Sequence, residues 1–488
     1  MRFSRLLTEA AIQARRRGDA EVLGVCDDSR CCGAGSCFVA VRGTCDDGHK
    51  HICAAAAAGC EAVVCQDTST VPAGLPCAVV EDTRRVAGPL AQAIRGWPAR
   101  KLINIAVTGT NGKSTATHLI AAILRAGGFQ PAMLGTIGYK TGSRSIPART
   151  TTPGAVALAE MMEEMLAAGR THLVMEVSSH ALDQRRACGI DFRVGVFTNL
   201  SGDHLDYHGT MDAYLAAKRR LFEALAASGS AVINRDDPAG EVIAQATKAA
   251  VTWYGLSPAA DLRGRIEQID DTGSKFTLIR GGEQAQVTTS LIGRHNVFNC
   301  LAAAGACAVL GVELPIIAAA LSGVHRIPGR LERVRVDAPY DVFVDYAHTD
   351  DALANVLSSL RPVTRGRILV VFGCGGDRDH TKRPRMARVA RDLADVVVIT
   401  SDNPRSEKPE AIIDDIVAGL QDVDNEEVRV EPDRRTAIEL AVSLAESGDV
   451  VLVAGKGHEN YQVIGSKRIH FDDVEVAAEA VQKQKERL

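Results

Sequence analysis

The sequence predicts an α/β protein of three domains, and three observations carry that prediction. Short β-branched runs alternate with helix-forming stretches, turn residues break the alternation at His325 to Gly329 (HRIPG), and 488 residues exceed what one core organises. Up to about Pro98 the chain is alanine-rich, with apolar runs at Cys37 to Val41 and Ala62 to Cys65 bounded by Gly and Asp. Residues 1–98 therefore read as a small N-terminal α/β domain, with the alanine run Ala54 to Ala58 in an ordinary helix. In residues 99–328 the run Ile103 to Thr108 is the first strand and Ala116 to Arg125 a helix. His172 to Val177, Val194 to Leu200 and Ala231 to Asn234 are further strands, and Met211 to Leu225 a further helix. Such alternation implies a mainly parallel sheet covered on both faces. Residues 329–488 restart it with Val342 to Tyr346, Arg367 to Phe372, Val396 to Thr400 and Val450 to Ala454. These runs suit a doubly wound, Rossmann-like sheet, in which ligands sit at the carboxyl ends of the strands.

Composition excludes more than it identifies. Lys plus Arg is 56 against 60 acidic residues, a net charge of −4, which argues against non-specific nucleic-acid binding. No apolar stretch is long enough for a membrane span, and the first residues lack the apolar centre of a signal peptide, so the expectation is a cytoplasmic protein. Nine of the thirteen cysteines fall between Cys26 and Cys77. In a chain this long they read as small, reduced, buried residues. Cys26, Cys31, Cys32 and Cys37 raise a zinc site as the sharper alternative, though without a paired CxxC spacing.

The chemistry begins with Gly109, Thr110, Asn111, Gly112, Lys113, Ser114 and Thr115, which follow the first strand of the central segment and precede its helix. Glycines there let backbone N–H groups and a helix N-terminus face phosphate oxygens, Lys113 adds a mobile positive charge, and Ser114 offers a hydroxyl to Mg²⁺. The central segment is therefore expected to be P-loop ATPase-like. The usual pattern needs a glycine where Val107 stands, so this loop is a shortened form. Glu176 ends the HLVME strand, His204 follows the next, and Lys218 lies on the helix after that. A carboxylate and an imidazole there are reasonable Mg²⁺ or Mn²⁺ ligands, although either alone is more often structural. In the third segment four polar clusters follow four strands: Asp345 to His348, Cys374 to Asp379, Ser401 to Glu407 and Gly455 to Glu459. Together they bring Arg378, Arg405, Lys456 and Glu459 to one rim, which suits a small ligand with several charges. Gly376 and Pro404 would fix the neighbouring backbone.

These strings resemble the Mur ligase family, the ATP-dependent amide-bond ligases of bacterial cell-wall precursor synthesis, whose short phosphate loop is shared with folylpolyglutamate synthetases. The resemblance covers essentially the whole chain, including Asp28 to Arg30 (DSR) and the FVAVRGTCDDGH after it. Within the family, DNPR at Asp402 to Arg405 typifies members that add meso-2,6-diaminopimelate, not L-lysine, to UDP-N-acetylmuramoyl-L-alanyl-D-glutamate. The second carboxylate of diaminopimelate would give Arg405 a planar partner. The resemblance implies that Lys113 and Ser114 hold ATP phosphates and Mg²⁺, that Glu176 and His204 bind metal, and that Lys218 reacts with CO₂ to become an N6-carboxylysine. It implies that Ser29, Thr151, Thr152, Ser178, Gln184 and Arg186 grip the UDP-precursor. Asn296, Arg330, Asp345 and His348 would lie around ATP, and Arg378, Asp402, Asn403, Pro404, Arg405, Gly455 and Glu459 would form the amino-acid pocket. The implied reaction runs through an acyl phosphate, with no nucleic-acid partner and the chain a monomer. Three departures stand out: Asp350 where the family has proline, Pro153 where glycine is common, and a variable uridine loop at Thr44, Cys45 and Asp46. An L-lysine-adding ligase, a folylpolyglutamate-type ligase and an ATPase without ligation are the rival readings.

Overall fold

The computed structural model describes residues 1–44, 46–142, 145–420 and 427–487, so Cys45 of the uridine-loop expectation lies outside the described residues. Among these residues the strands form three main sheets and one two-stranded hairpin. In the first sheet Gly24–Cys26, Ser36–Val39, Ala62–Cys65 and Cys77–Val79 run parallel, and Arg15–Arg17 pairs antiparallel at the edge. Most of the clustered cysteines are buried here and unpaired. Burial raises the Cys60 and Cys65 thiols to about 11, which keeps them protonated and inert. Among the described residues no group of three or more His, Cys, Asp or Glu is arranged to hold a metal ion, so the zinc alternative has no site.

A helix at Thr83–Ile94 starts with the Asp82 side chain accepting from Arg84 N and packs on the helix Ala155–Ala167 of the central segment. Leu90 and Ala91 share a buried cluster with Val156 and Ala159, and Arg95 pairs with Glu160 at 2.7 Å and Glu163 at 3.0 Å. This seam joins the first unit to the second mainly by apolar contact, with the Arg95 ion pairs beside it.

The central sheet places Ile103–Thr108 between His172–Glu176 and Phe192–Phe197, all parallel. Pro131–Gly135, Ser230–Asn234 and Ala250–Gly255 extend the parallel part. Beyond them the sheet departs from the expectation. Leu262–Asp270, Gly273–Arg280 and Glu283–Thr289 add an antiparallel wing at one edge, and Gly138–Lys140 and Ser145–Ile146 another. The turn at Gly281 and Gly282, both with positive φ, is the hairpin signal that the strand–helix pattern passes over. Helices Lys113–Ala126 and Arg294–Ala308 pack together over one face, the second presenting mainly Ala, Cys and Gly so that the two approach closely.

Two boundaries are corrected. The helix after the phosphate loop begins at Lys113, three residues before Ala116. The strand expected to reach Leu200 stops at Phe197, because Thr198 and Asn199 leave the sheet to hold the loop: Thr198 Oγ1 and Asn199 Nδ2 donate to Asn111 O at 2.7 and 3.1 Å.

In the third sheet the order is Glu332–Arg333, Asp341–Asp345, Val450–Ala454, Ile368–Phe372, Val396–Ile399, Val428–Val430, parallel except for the first pair. Helices Asp350–Leu360, Lys382–Leu393 and Pro409–Val417 cover one face, and Arg434–Leu444 with Asp473–Arg487 the other, which makes the sheet doubly wound. Among the described residues no helix is long and apolar enough to cross a membrane.

An ion pair locks the last two helices to the strand ends. Arg434 and Asp473 are both fully buried and bonded at 2.9 and 2.7 Å. The same guanidinium donates to Ser401 O at 3.3 Å and Ala454 O at 2.9 Å, the carbonyls just before Asp402 and Gly455. Asp473→Ala leaves that guanidinium buried without a counter-charge, which costs about 3–5 kcal/mol. Denaturant unfolding of the C-terminal unit is expected to shift by that amount.

Candidate active site

The phosphate loop is built around two glycines. Gly109 (φ 150°) and Gly112 (φ 83°) adopt conformations that disfavour a side chain, and a Cβ would stand 1.9 Å from Thr198 Oγ1 at Gly109 and 2.1 Å from Asn299 Oδ1 at Gly112. The loop's backbone can therefore press against both neighbours. Lys113 folds back over it, donating from Nζ to Gly109 O at 2.9 Å and Thr110 O at 2.7 Å. Lys218, 1 % exposed, donates to the same Gly109 O at 2.8 Å and lies 4.1 Å from the Tyr214 ring centroid. Burial lowers both amines from the ordinary lysine value, Lys218 farther, with the Lys113 charge adding to the effect.

Glu176, 1 % exposed, points from its strand end into the same space, its carboxylate accepting from Thr136 N at 2.8 Å and Thr136 Oγ1 at 3.0 Å. His204 sits in left-handed backbone at φ 55°, 3.4 Å from Asp203 and edge-on to His180 with centroids 4.6 Å apart. Strained backbone of this kind collects at functional sites. Burial opposes ionisation of Asp203, but His204, His348 and Lys113 outweigh it and hold its carboxyl below the usual range. The sequence reading took His204 and passed over Asp203, His180 and Tyr214; the acidic neighbour in SGDH was the available signal.

On the facing unit, Asn403 Nδ2 donates to Glu459 Oε2 at 2.8 Å, and Lys456 Nζ lies 3.3 Å from that oxygen and 3.3 Å from Asn403 Oδ1. Burial, with Asp402 beside it, raises the Glu459 carboxyl above its ordinary value. A Cβ on Gly455 would stand 2.8 Å from Asp402 Oδ2. Arg405 is in left-handed backbone at φ 53° and donates to Gly376 O at 2.6 Å, while Pro404 O lies behind Gly376. Arg378 donates to Asp377 O at 3.0 Å and lines the cleft.

The residues expected around the nucleotide and precursor divide into cleft-facing and bracing groups. Arg330 crosses between units to donate to Ser114 Oγ at 2.9 Å, and His348 and Asn296 line the cleft. Asp345 also borders it, but its carboxylate is occupied by Leu331 N at 2.6 Å and Ala347 N at 2.7 Å. Thr151 and Ser178 face the cleft. Thr152 is fully buried and braces the strand end, its hydroxyl donating to Glu176 O at 2.9 Å and accepting from Ser178 N at 3.1 Å. Arg186 ties Gln184 Oε1, at 2.6 and 3.0 Å, to Thr152 O at 3.0 Å. Ser29 stands apart from the cleft, in a short turn whose neighbour Asp27 approaches Gly154.

One continuous cleft of about 970 Å³ joins these groups: Lys113, Glu176 and Lys218 on one wall face Arg378, Arg405 and Glu459 on the other. One wall offers amines and acidic groups suited to phosphates with a divalent cation, the other alternating charges suited to a small zwitterion.

Comparison with known proteins finds relatives along the whole chain. Residues 107–307 match the Mur ligase middle domain, and residues 329–457 match the Mur ligase glutamate ligase domain. A protein of Gloeobacter violaceus named UDP-N-acetylmuramoyl-L-alanyl-D-glutamate--2,6-diaminopimelate ligase is 44% identical over 489 residues, covering 100% of this chain and 99% of its own. A solved structure of a ligase of that name superposes with a TM-score of 0.67 at 36% identity, covering 95% of each chain. The Thermotoga maritima MurF ligase in complex with ADP shares the fold, with a TM-score of 0.64 at 17% identity over 95% of this chain and 98% of its own.

Burial holds the imidazoles of His118, His180, His204, His295 and His348 at about 4, and that of His458 at about 3. Unfolding returns each to about 6.5, so the unfolded chain binds more protons between those values. Their stabilising contribution is complete above about 6.5 and is lost as pH falls toward 4. In a histidine NMR titration the His295 and His348 rings should remain neutral at about pH 5.5, where an ordinary imidazole is mostly charged; a midpoint near 6.5 in the folded protein would contradict the burial.

Proposed function

The chain belongs to the Mur ligase family, and from that premise we propose that it joins meso-2,6-diaminopimelate to the D-glutamyl γ-carboxylate of UDP-N-acetylmuramoyl-L-alanyl-D-glutamate at the expense of ATP. The observation that carries this reading is the single cleft in which the phosphate loop and Lys218 face Arg378, Arg405 and Glu459. Residues 1–98 would take the uridine end, with Ser29 at their contact with the precursor. Residues 99–328 would hold ATP and the reacting carboxylate, and residues 329–488 the incoming amino acid.

The γ-carboxylate attacks the ATP γ-phosphate, giving an acyl phosphate and ADP; the diaminopimelate amine then attacks the acyl carbon and phosphate leaves. Lys113, free to turn from Gly109 O, follows the charge on the transferring group, and Arg330 approaches from the other unit. Ser114, Glu176, His204 and Lys218 supply donors that fit Mg²⁺ once Lys218 carries a carbamate, since burial keeps the His204 imidazole neutral with a lone pair to give. When bound, Mg²⁺ would neutralise phosphate charge. Carbamate formation needs a neutral amine: the Lys218 nitrogen adds to the carbon of CO₂ and loses a proton. Burial beside Lys113 favours that neutral form. Thr151 and Ser178, with Gln184 and Arg186 behind them, would seat the precursor peptide. Asn296, Asp345 and His348 would border the nucleotide.

In the second wall Glu459 and Asp402 suit the ammonium of the amino acid, and Arg405 and Arg378 its carboxylates. L-Lysine lacks the distal carboxylate and leaves one guanidinium unpaired. The deciding experiment supplies ATP, Mg²⁺, the UDP-muramoyl-dipeptide and either amine, and weighs the product. Diaminopimelate should add and lysine should not; phosphate release independent of both co-substrates would overturn the reading.

Two substitutions sharpen it. Lys218→Ala should nearly abolish ligation, with partial restoration by a small added carboxylic acid that replaces the carbamate; full activity would remove the carbamate from the scheme. Arg405→Ala should weaken diaminopimelate use by about 2–5 kcal/mol, the cost of stranding one partner of a hydrogen-bonded charge pair. The KM for ATP should stay nearly unchanged, and equal losses for both ligands would mean that Arg405 serves another role.

A further inference from the structure

The helix Asp350–Leu360 of the C-terminal unit points its first turn at the phosphate loop. Thr349 Oγ1 caps it by accepting from Ala352 N at 3.2 Å, which fixes where Asp351 projects. The Asp351 carboxylate, through Oδ2, accepts from Asn111 Nδ2 at 2.7 Å and Ser201 Oγ at 2.7 Å, both on the central unit, and from Asn355 Nδ2 of its own helix at 3.2 Å. These donors belong to the two loops that carry the chemistry. Asn111 is in the phosphate loop, and Ser201 opens the SGDH segment that presents Asp203 and His204.

Those loops are already tied together on their own unit. Asn111 N donates to Asn199 Oδ1 at 2.9 Å, and Ser201 N to Thr110 Oγ1 at 3.0 Å. With its backbone held, the Asn111 side chain is left to reach across. A carboxylate beside a phosphate site would repel the nucleotide if it faced the phosphates; here its Oδ2 is turned to the amide and hydroxyl donors. Charge-assisted bonds of this sort are about twice as strong as neutral ones, and their geometry is available only when the two units are together.

We propose that Asp351 is a positioning residue that couples closure of the C-terminal unit to the arrangement of the phosphate loop and the His204 segment, protecting the acyl phosphate from water. The inference rests on the acyl-phosphate reading above. Without the Asp351 bonds, water reaches the intermediate and adds to the acyl carbon; phosphate leaves and the carboxylate is regenerated, so ATP is hydrolysed with no amide formed. The nucleotide's own contacts remain.

The test measures amide product and phosphate release in the same reaction, for the wild-type chain, Asp351→Ala, Asp351→Asn, Ser201→Ala and the Asp351→Ala/Ser201→Ala double variant. Asp351→Ala should slow amide formation about tenfold, as expected for losing a charge-assisted bond, and release clearly more than one phosphate per amide, with the KM for ATP changed less than about twofold. Asp351→Asn, which keeps one acceptor oxygen, should recover part of the coupling, and the double variant should be no worse than Asp351→Ala. Small-angle scattering with ATP and Mg²⁺ should show Asp351→Ala more extended than wild type. One phosphate per amide in Asp351→Ala, additive losses in the double variant, or identical scattering curves would each overturn the proposal. A wild-type chain that forms no amide would refute the ligase reading, while the scattering comparison still decides whether Asp351 holds the units together.

Discussion

Two lysine amines share one backbone carbonyl. Lys113 and Lys218 both donate to Gly109 O, at 2.9 and 2.8 Å, and among the described residues neither is in an ion pair with a carboxylate. Burial disfavours an ammonium at Lys218, and the neighbouring Lys113 charge adds to that effect. Two amines gathered at one carbonyl suit a pocket that takes up negative charge, which the proposed reaction would supply as phosphate and as a carbamate on Lys218. Glu176, held by Thr136, and Asp203, held ionised by its neighbours, line the same cleft. The chemistry of the cleft follows from this arrangement at Gly109.

The parts legible in the sequence were those whose function is local. A glycine that must accept positive φ, a lysine opening a helix and a charged residue closing a strand keep their meaning whatever lies across the fold, and Gly112, Lys113, Glu176 and Glu459 all stand where strand ends and loops placed them. What was lost depends on distance. Asp351 meets partners 240 and 150 residues away, and Arg434 meets Asp473, Ser401 and Ala454 from three other segments. No spacing rule reaches such pairs. The antiparallel wing from Leu262 to Thr289 was missed for a different reason: it ends in glycine turns that resemble the boundaries of any strand.

On the proposed reading, amine selection would depend on scaffolding that the pocket residues do not supply themselves. Asp402 and Gly455 lie one residue beyond the carbonyls held by Arg434, so the positions of the two rim loops are set from inside the sheet. Asn403 then links Glu459 to the backbone at Val463, and Arg405 is fixed through Gly376. Groups held this firmly lose little freedom when a ligand arrives. Discrimination between amino acids that differ by one carboxylate then rests on whether a guanidinium finds its partner.

The seam between the central and C-terminal units is polar where it crosses the cleft. Arg330 to Ser114, His458 to Thr136 O, and Asp351 to Asn111 and Ser201 are bonds that water can replace when the units part. At about 0.5–3 kcal/mol each, they sum to several kcal/mol, part of which is offset by the entropy of holding one unit against another. An apolar seam, like the one joining the first unit to the second, would be slower to release. Ser114 gives the balance a direction, because its hydroxyl receives Arg330 in the structure and is also the group expected to face a nucleotide-bound cation. Nucleotide binding would therefore redirect Arg330 from the hydroxyl toward phosphate, exchanging a neutral acceptor for an ionised one. On the proposed reaction, closure would be strengthened when ATP is present and weakened once phosphate has gone.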